Sequence, residues 1–335
     1  MKSFINKIIF LGWILSAQAT VNTQGFPPEL GGYIEINAEK FWETKIGKSV
    51  RAATNENPEL KSFTQKTGIQ TSDIKKINIG FYPDPTGKIN PSNLLGVILL
   101  RGNFKQEALE VCAKSNGVKP RNSGKCQIWD LKKILAIFTD RAQELTEDSG
   151  AVITGQPNTI AMVTTKALTE KTVNALGILG NNTKPLGSLG SSINTPSDAW
   201  LFVGLDGDKI EEAEGSGLKG LNFTASETGS EVQFKLWLGF SNKEQARDAS
   251  SKMKTFKLMT TMALGNKDED QTPDQENMRK FLSKLVENAK IEISGNAVTV
   301  GLNCPATEAA TLIKTFIEKG QATDDASFLK TPLLR

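Results

Sequence analysis

A strand-to-helix junction that recurs four times constrains this chain more than any other feature of its sequence. Ile98-Leu99-Leu100-Arg101-Gly102-Asn103-Phe104 runs into a helical stretch beginning at Lys105, and Ile160-Ala161-Met162-Val163-Thr164 runs into one carrying Ala167, Leu168, Val173 and Leu176. Lys235-Leu236-Trp237-Leu238-Gly239-Phe240 leads into a helix after Ser241, and Val298-Thr299-Val300-Gly301-Leu302-Asn303 into one opening at Pro305. Gly102 and Thr164 stand 62 residues apart, as do Gly239 and Gly301, while Gly102 and Gly239 are 137 apart. Equal inner offsets within a larger one are the mark of a duplicated unit.

Paired strand patterns precede each junction. Leu218–Ala225 and Glu231–Gly239 flank Glu227-Thr228-Gly229-Ser230, and Ile291–Ser294 and Ala297–Asn303 flank Gly295-Asn296, both hairpin signals. In the first half Ile77–Tyr82 pairs with Leu94–Arg101, and Ala151–Gly155 with Thr159–Thr164. Each unit therefore reads β-β-α. The expected fold is α+β, two similar domains, each an antiparallel sheet with helices packed on one face. The first domain is expected over 31–180, with extra helix at Ala38–Thr54 and Pro58–Lys66 and an inserted segment around Lys132–Glu147. A Pro/Gly/Ser-rich linker covers 181–197, the second domain 198–320, and a loosely held tail 321–335.

Helix-end chemistry agrees with these positions. Ser241-x-x-Glu244 has the form of a capping box and Asn103-x-x-Gln106 resembles one. Pro305 in the first turn and Gly320 past the last bracket a helix over 305–319. In the third helix Ala246, Ala249, Met253, Phe256, Thr260 and Ala263 alternate at three and four residues and form one core-facing stripe. Met253, Met259 and Met262 are read as core filler, and Trp200 and Trp237 as core residues within strands.

Lys66-Thr67-Gly68-Ile69, Asp73-Ile74-Lys75-Lys76-Ile77, Leu100-Arg101-Gly102-Asn103-Phe104, Ala151-Val152-Ile153 and Thr159-Ile160-Ala161-Met162-Val163 occur in that succession. It resembles secreted bacterial proteins in which a TGI-x-P-x-x-D-I segment precedes a strand, an RG-x-F junction and a hairpin. The resemblance spans roughly Tyr33 to Ala175. It implies the same α+β build and brings no catalytic residues with it.

Residues 1–19 have the form of a secretory signal peptide. Lys2 and Lys7 are followed by the apolar run Ile8–Leu15 and by Ala17-Gln18-Ala19, with cleavage expected after Ala19. Of 40 Lys+Arg, two lie in that segment, so the remaining 316 residues carry 38 basic and 37 acidic side chains. A nearly neutral chain does not read as a nucleic-acid binder. The longest later apolar run, Leu94–Leu100, has seven residues and reads as a buried strand, so no transmembrane segment is expected in the mature chain. The localisation this implies is exported, periplasmic or extracellular.

The chain has no histidine, which removes histidine-dependent triads and most zinc sites. Gly47-Lys48-Ser49 and Gly87-Lys88 fail the phosphate-loop spacing, because Trp42 and Tyr82 stand where its first glycine belongs. Gly215-Ser216-Gly217 reads as a turn before a strand rather than a nucleophile elbow. Asp206, Asp208, Glu211, Glu212 and Glu214 form an acidic patch without the ordered spacing of a calcium loop. Lys75-Lys76, Lys132-Lys133 and Lys252-x-Lys254-x-x-Lys257 read as solvated basic faces, the kind that meets an anionic envelope surface only weakly. Among three cysteines, Cys112 and Cys126 are a candidate disulfide across a turn-rich stretch, worth about 3 kcal/mol if formed, the alternative being two buried thiols. Cys304 falls at an expected helix N-terminus, where a thiolate is favoured.

No catalytic, cofactor or metal residues are assigned. The leading expectation is an exported, non-catalytic binding or scaffolding protein of the bacterial envelope or extracellular space, its partner an unknown protein or envelope component. A carrier or chaperone for an apolar ligand such as lipid is the alternative, and a carboxylate-dependent hydrolase the second. An unfilled apolar cavity would mark the carrier, paired acids in a deep cleft the hydrolase, and a contiguous exposed apolar patch the binding protein.

Overall fold

A computed structural model describes residues 25–27, 29–54, 57–89, 95–145, 149–177, 199–210, 213–265 and 273–322. The expected signal peptide, the 181–197 linker and all but the first two residues of the 321–335 tail lie outside them.

The strands of both halves join in one antiparallel sheet. They are β1 (Gly32–Asn37), β2 (Ile74–Tyr82), β3 (Leu95–Gly102), β4 (Arg121–Ser123), β5 (Cys126–Asp130), β6 (Ser149–Gln156) and β7 (Thr159–Thr165), followed by β8 (Ala199–Asp206), β9 (Leu218–Thr228), β10 (Glu231–Phe240), β11 (Lys290–Ser294) and β12 (Ala297–Pro305). Their spatial order is β11-β12-β10-β9-β8-β1-β2-β3-β7-β6-β5-β4. Read outward from the β1–β8 pair, each half has the same sequence of strands: three neighbours in chain order, then the second strand of the following hairpin, then its first. The duplication expected from the junctions is therefore present, with a leading strand, β1 or β8, added to each pair of β-β-α units. The small insertion β4–β5 extends the first half alone.

The helices are α1 (Ala38–Glu43), α2 (Lys45–Thr54), α3 (Pro58–Thr67), α4 (Gln106–Ser115), α5 (Leu131–Ala136), α6 (Lys166–Gly177), α7 (Lys243–Gly265), α8 (Pro273–Glu287) and α9 (Ala306–Ala322). The expected single helix 38–54 is divided at Thr44. Its Oγ1 donates to the Phe41 carbonyl (2.7 Å) and accepts from Gly47 N–H (2.8 Å), closing one helix and starting the next. Gly47 is required there, since a Cβ would stand 1.8 Å from the Phe41 carbonyl oxygen. Asn57 caps α3 through Glu59 and Leu60 N–H, and Gly68 ends it at φ +69°. The two capping boxes expected from spacing are replaced. Asn242, not Ser241, accepts from Gln245 N–H at the start of α7, and Ser241 Oγ donates to the Gly217 carbonyl instead. Gln106 Oε1 accepts from Gly155 N–H in the neighbouring hairpin, leaving α4 without a side-chain cap.

Alternation along the strands sends side chains to two faces. Ile34, Ile36, Ile79, Ile98 and Val232 pack under α1, α2, α8 and α9; Leu100, Ile160 and Val152 under α3, α4 and α5; Leu238 and Val298 under α7. These clusters share one face, so eight of the nine described helices lie on it. The exception is α6, whose Leu168, Val173 and Leu176 cover Tyr33, Val97, Leu99, Ala161 and Val163 on the other. Its counterpart in the second half, α9, has crossed to the first face and lies along α2.

A buried polar network sits beside the β1–β8 join. Glu35, 2% exposed, accepts from Tyr33 OH (2.9 Å) and Asn78 Nδ2 (3.2 Å) and pairs with Lys76 (3.4 Å). Asn78 also donates to Tyr33 OH (2.8 Å) and accepts from Arg101 Nη1 (2.9 Å). Replacing Asn78 strands three partners at once, so Asn78→Ala is expected to cost about 2 to 3 kcal/mol in urea unfolding. Burial, with the Glu35 charge, holds the Tyr33 phenol well above its ordinary value, and burial does the same to Tyr82. A phenol whose pKa is raised on folding stabilises the fold fully below about pH 10 and loses that contribution as the pH climbs toward the folded value. Stability should therefore fall above pH 10, and Tyr82→Phe should flatten that fall in denaturation curves taken across pH 9 to 11.

Candidate functional site

The most unusual surface among the described residues lies on α7. This helix packs on β10, β11 and β12 and forms a hairpin with α8. Each helix caps the other. Lys257 Nζ donates to the carbonyls of Glu287 (2.8 Å) and Ala289 (2.7 Å) at the end of α8, and Arg279 of α8 donates to the Leu264 carbonyl at the end of α7. A cation on the last carbonyls of a helix satisfies orphan acceptors and meets the negative end of the helix dipole.

These contacts set the rotation of α7 and overturn part of the expected stripe. The side turned inward carries Ala246, Ser250, Met253, Lys257 and Leu264. The expected stripe, spaced as a strict heptad, drifts off that line, as any 3.5-residue repeat does on a 3.6-residue helix. Phe256 is 69% exposed instead of core, and Met259 and Met262, read as core filler, are each 62% exposed. Leu258 is 57% exposed. At 100° per residue these four side chains occupy one arc of about 160° on the outer side of the helix. Lys252 lies at one margin of the arc and Lys254 at the other. From Lys252 to Gly265 the helix has three lysines and no acid.

The other candidates do not assemble. Cys112, Cys126 and Cys304 are free thiols, so the Cys112–Cys126 bridge is corrected. The sheet separates the pair: α4, which carries Cys112, packs on one face, and Cys126 joins the α6 cluster on the other. Burial raises both thiols. Cys304 also departs from expectation, because burial, Glu308 and Glu231 push its thiol up to about 12 rather than favouring a thiolate. Asp206 caps a short turn through Asp208 N–H, Asp208 pairs with Lys219 (2.8 Å), and Glu214 lies 3.9 Å from Lys88. Glu211 and Glu212 lie outside the described residues, and no group of three metal-ligating side chains occurs among those described. Trp200 is buried at 1%, as expected, but Trp237 is only half-buried.

The two hollows found among the described residues are open to solvent. One of about 510 Å³ borders Lys66, Lys105 and Val111, and one of about 430 Å³ lies between Phe281, Leu285 and Cys304. Both mix charged and apolar walls, and neither is the dry apolar chamber a lipid carrier uses. No described helix is long and apolar enough to cross a membrane.

No protein-family model matches the chain, and no curated protein does. Three crystal forms of TP0453, a treponemal protein, are similar in structure. Form I is 12% identical with a TM-score of 0.44, over 90% of this chain and 100% of that one. Form III is 11% identical at 0.47, over 89% and 100%, and form IV 9% identical at 0.47, over 88% and 97%. A likeness of this degree says nothing of activity.

The packing of α7 separates outer from inner side chains by their effect on stability. The double substitution Phe256→Ser, Met259→Ser should change unfolding free energy by less than about 0.5 kcal/mol. Lys257→Ala, which strips the end of α8 of two hydrogen bonds, should cost about 1 to 2 kcal/mol in the same denaturation experiment.

Proposed function

We propose that this is an exported, non-catalytic binding protein of the bacterial envelope, and that it docks on an anionic lipid surface through the outer side of α7. The observation that carries this reading is the contiguous apolar arc Phe256, Leu258, Met259 and Met262. A monomer gains nothing in its own stability from exposing four large apolar side chains together. Transfer out of water is favourable for each, at about 25 cal/mol per Å² of apolar surface removed.

Lysines at both margins choose the partner. A basic, apolar-faced helix lying in the interfacial plane buries its apolar arc among acyl chains while its cations reach anionic headgroups. Each lysine near such a surface contributes about 1 kcal/mol, and the attraction fades with salt. Lys257 is committed to the end of α8, so Lys252 and Lys254 supply this term. The interfacial mode needs no spanning helix. It also needs no catalytic group, in keeping with a chain that has no histidine and whose described acids are dispersed.

Flotation of the purified chain with vesicles tests the reading. Vesicles of 30% phosphatidylglycerol in phosphatidylcholine should carry the protein up the gradient, and pure phosphatidylcholine much less. Phe256→Ser with Met259→Ser should weaken the interaction at least tenfold, and Lys252→Glu with Lys254→Glu likewise, while 0.5 M salt should weaken the parent protein. Failure of the parent protein to float with anionic vesicles at low salt would overturn it.

A further inference from the structure

We infer a second binding surface, a polysaccharide platform on the bare face of the second half of the sheet, centred on Trp237 and Gly301. This does not depend on the lipid reading, and the two surfaces lie on opposite sides of the sheet. Where α6 covers the corresponding face of the first half, no described helix covers this one, because α9 lies on the other side. The side chains match that exposure. One cross-strand row reads Thr224, Lys235, Gly301 and Lys290 from β9 to β11, and the next reads Asn222, Trp237, Thr299 and Glu292. The same strands present Val232, Leu238 and Val298 to the helices.

Three observations give this face a ligand chemistry. The first is Trp237. A Cβ on Gly239 would stand 2.3 Å from its six-membered ring, so the indole lies down against the Gly239 backbone, and it remains half exposed. A half-exposed indole held along a strand is a platform for the C–H face of a sugar ring, while its neighbours meet the hydroxyls. The second is Gly301. Its φ is not in the left-handed region, and a Cβ there would have no atom within 4 Å. Neither the backbone nor the packing requires glycine, yet in mid-strand it costs about 0.5 to 1 kcal/mol. Its effect is to keep the sheet clear diagonally across from Trp237, where an extended ligand would cross. The third is Asn222, directly opposite Trp237. It is 3% exposed, and its Oδ1 has no hydrogen-bond donor among the described residues.

Charge completes the choice of occupant. Lys235 and Lys290 are set against Glu292, and the remaining groups, among them Asn222, Thr224, Gln233, Thr299 and Asn303, are amides and hydroxyls. A weakly charged surface rich in neutral donors and acceptors around one aromatic fits a polysaccharide strand better than nucleic acid or an acidic peptide.

Calorimetric titration of the purified chain with hexasaccharides of glucose, N-acetylglucosamine and galactose tests the inference. Saturable binding to at least one is expected, weakened tenfold or more by Trp237→Ala and by Gly301→Leu. The second substitution places a side chain in open space, so its thermal unfolding should stay near that of the parent and its effect cannot be blamed on misfolding. Phe256→Ser with Met259→Ser, which empties the α7 arc, should leave sugar binding within twofold. Binding to none of the three sugars, or binding that folded Gly301→Leu leaves within twofold, would overturn the platform.

Discussion

The pairing of β1 with β8 is the contact on which the rest of the molecule depends. Five residue pairs, from Gly32 with Leu205 to Ile36 with Leu201, join the two sequence halves edge to edge. Every other strand is reached by going outward from this seam. Because the two strands run antiparallel, each half repeats the other around a local two-fold relation. The seam is also where Glu35 is buried. A carboxylate out of water is tolerable only with its hydrogen bonds made, and Tyr33, Asn78 and Lys76 make them. The network thus fixes β1 against β2 on one side while β8 closes the other.

From that seam the two halves diverge in how they use the same topology. In the first, α6 closes the second face with Leu168, Val173 and Leu176, so both faces of its sheet are dry. In the second, α9 packs against α2 of the first half, tying the halves together on the helical side and leaving the opposite face to solvent. One relocated helix therefore accounts for the apolar side chains beneath α6 and the polar rows around Trp237. The α7–α8 hairpin is held by its reciprocal caps, so α7 can keep an outer side whose apolar residues take no part in the core.

Much of this fold was legible in the sequence. The turns at Gly229-Ser230 and Gly295-Asn296 announced two hairpins, both present in the structure, and the equal 62-residue offsets announced the repeated order of strands. The seam was harder to read. Gly32–Asn37 is a short alternating run whose partner, Ala199–Asp206, lies more than 160 residues away, and nothing local records such a pairing. The candidate surface was misread for a different reason. Phe256 sits within reach of a heptad stripe, and only the tertiary bond of Lys257 to the end of α8 decides which side of α7 turns inward. Side-chain type alone placed Met259, Met262 and Trp237 in the core, since periodicity does not say which faces are covered. The Cys112–Cys126 pairing failed likewise, because closeness along the chain does not reveal that a sheet lies between them.

The seam has a consequence for how the chain comes together. The edge of β1 that meets β8 stays open until Ala199–Asp206 is in place, well over half the chain after β1 itself. During that interval the first half carries an unpaired row of backbone donors and acceptors along Ile34 and Ile36, flanked by apolar side chains, which is a template for any passing strand. The final sheet hides this hazard by placing it at its centre, and its own outer edges are the short β4 and the charged β11. The liability thus belongs to the half-assembled chain, and its duration is set by how soon the second half arrives.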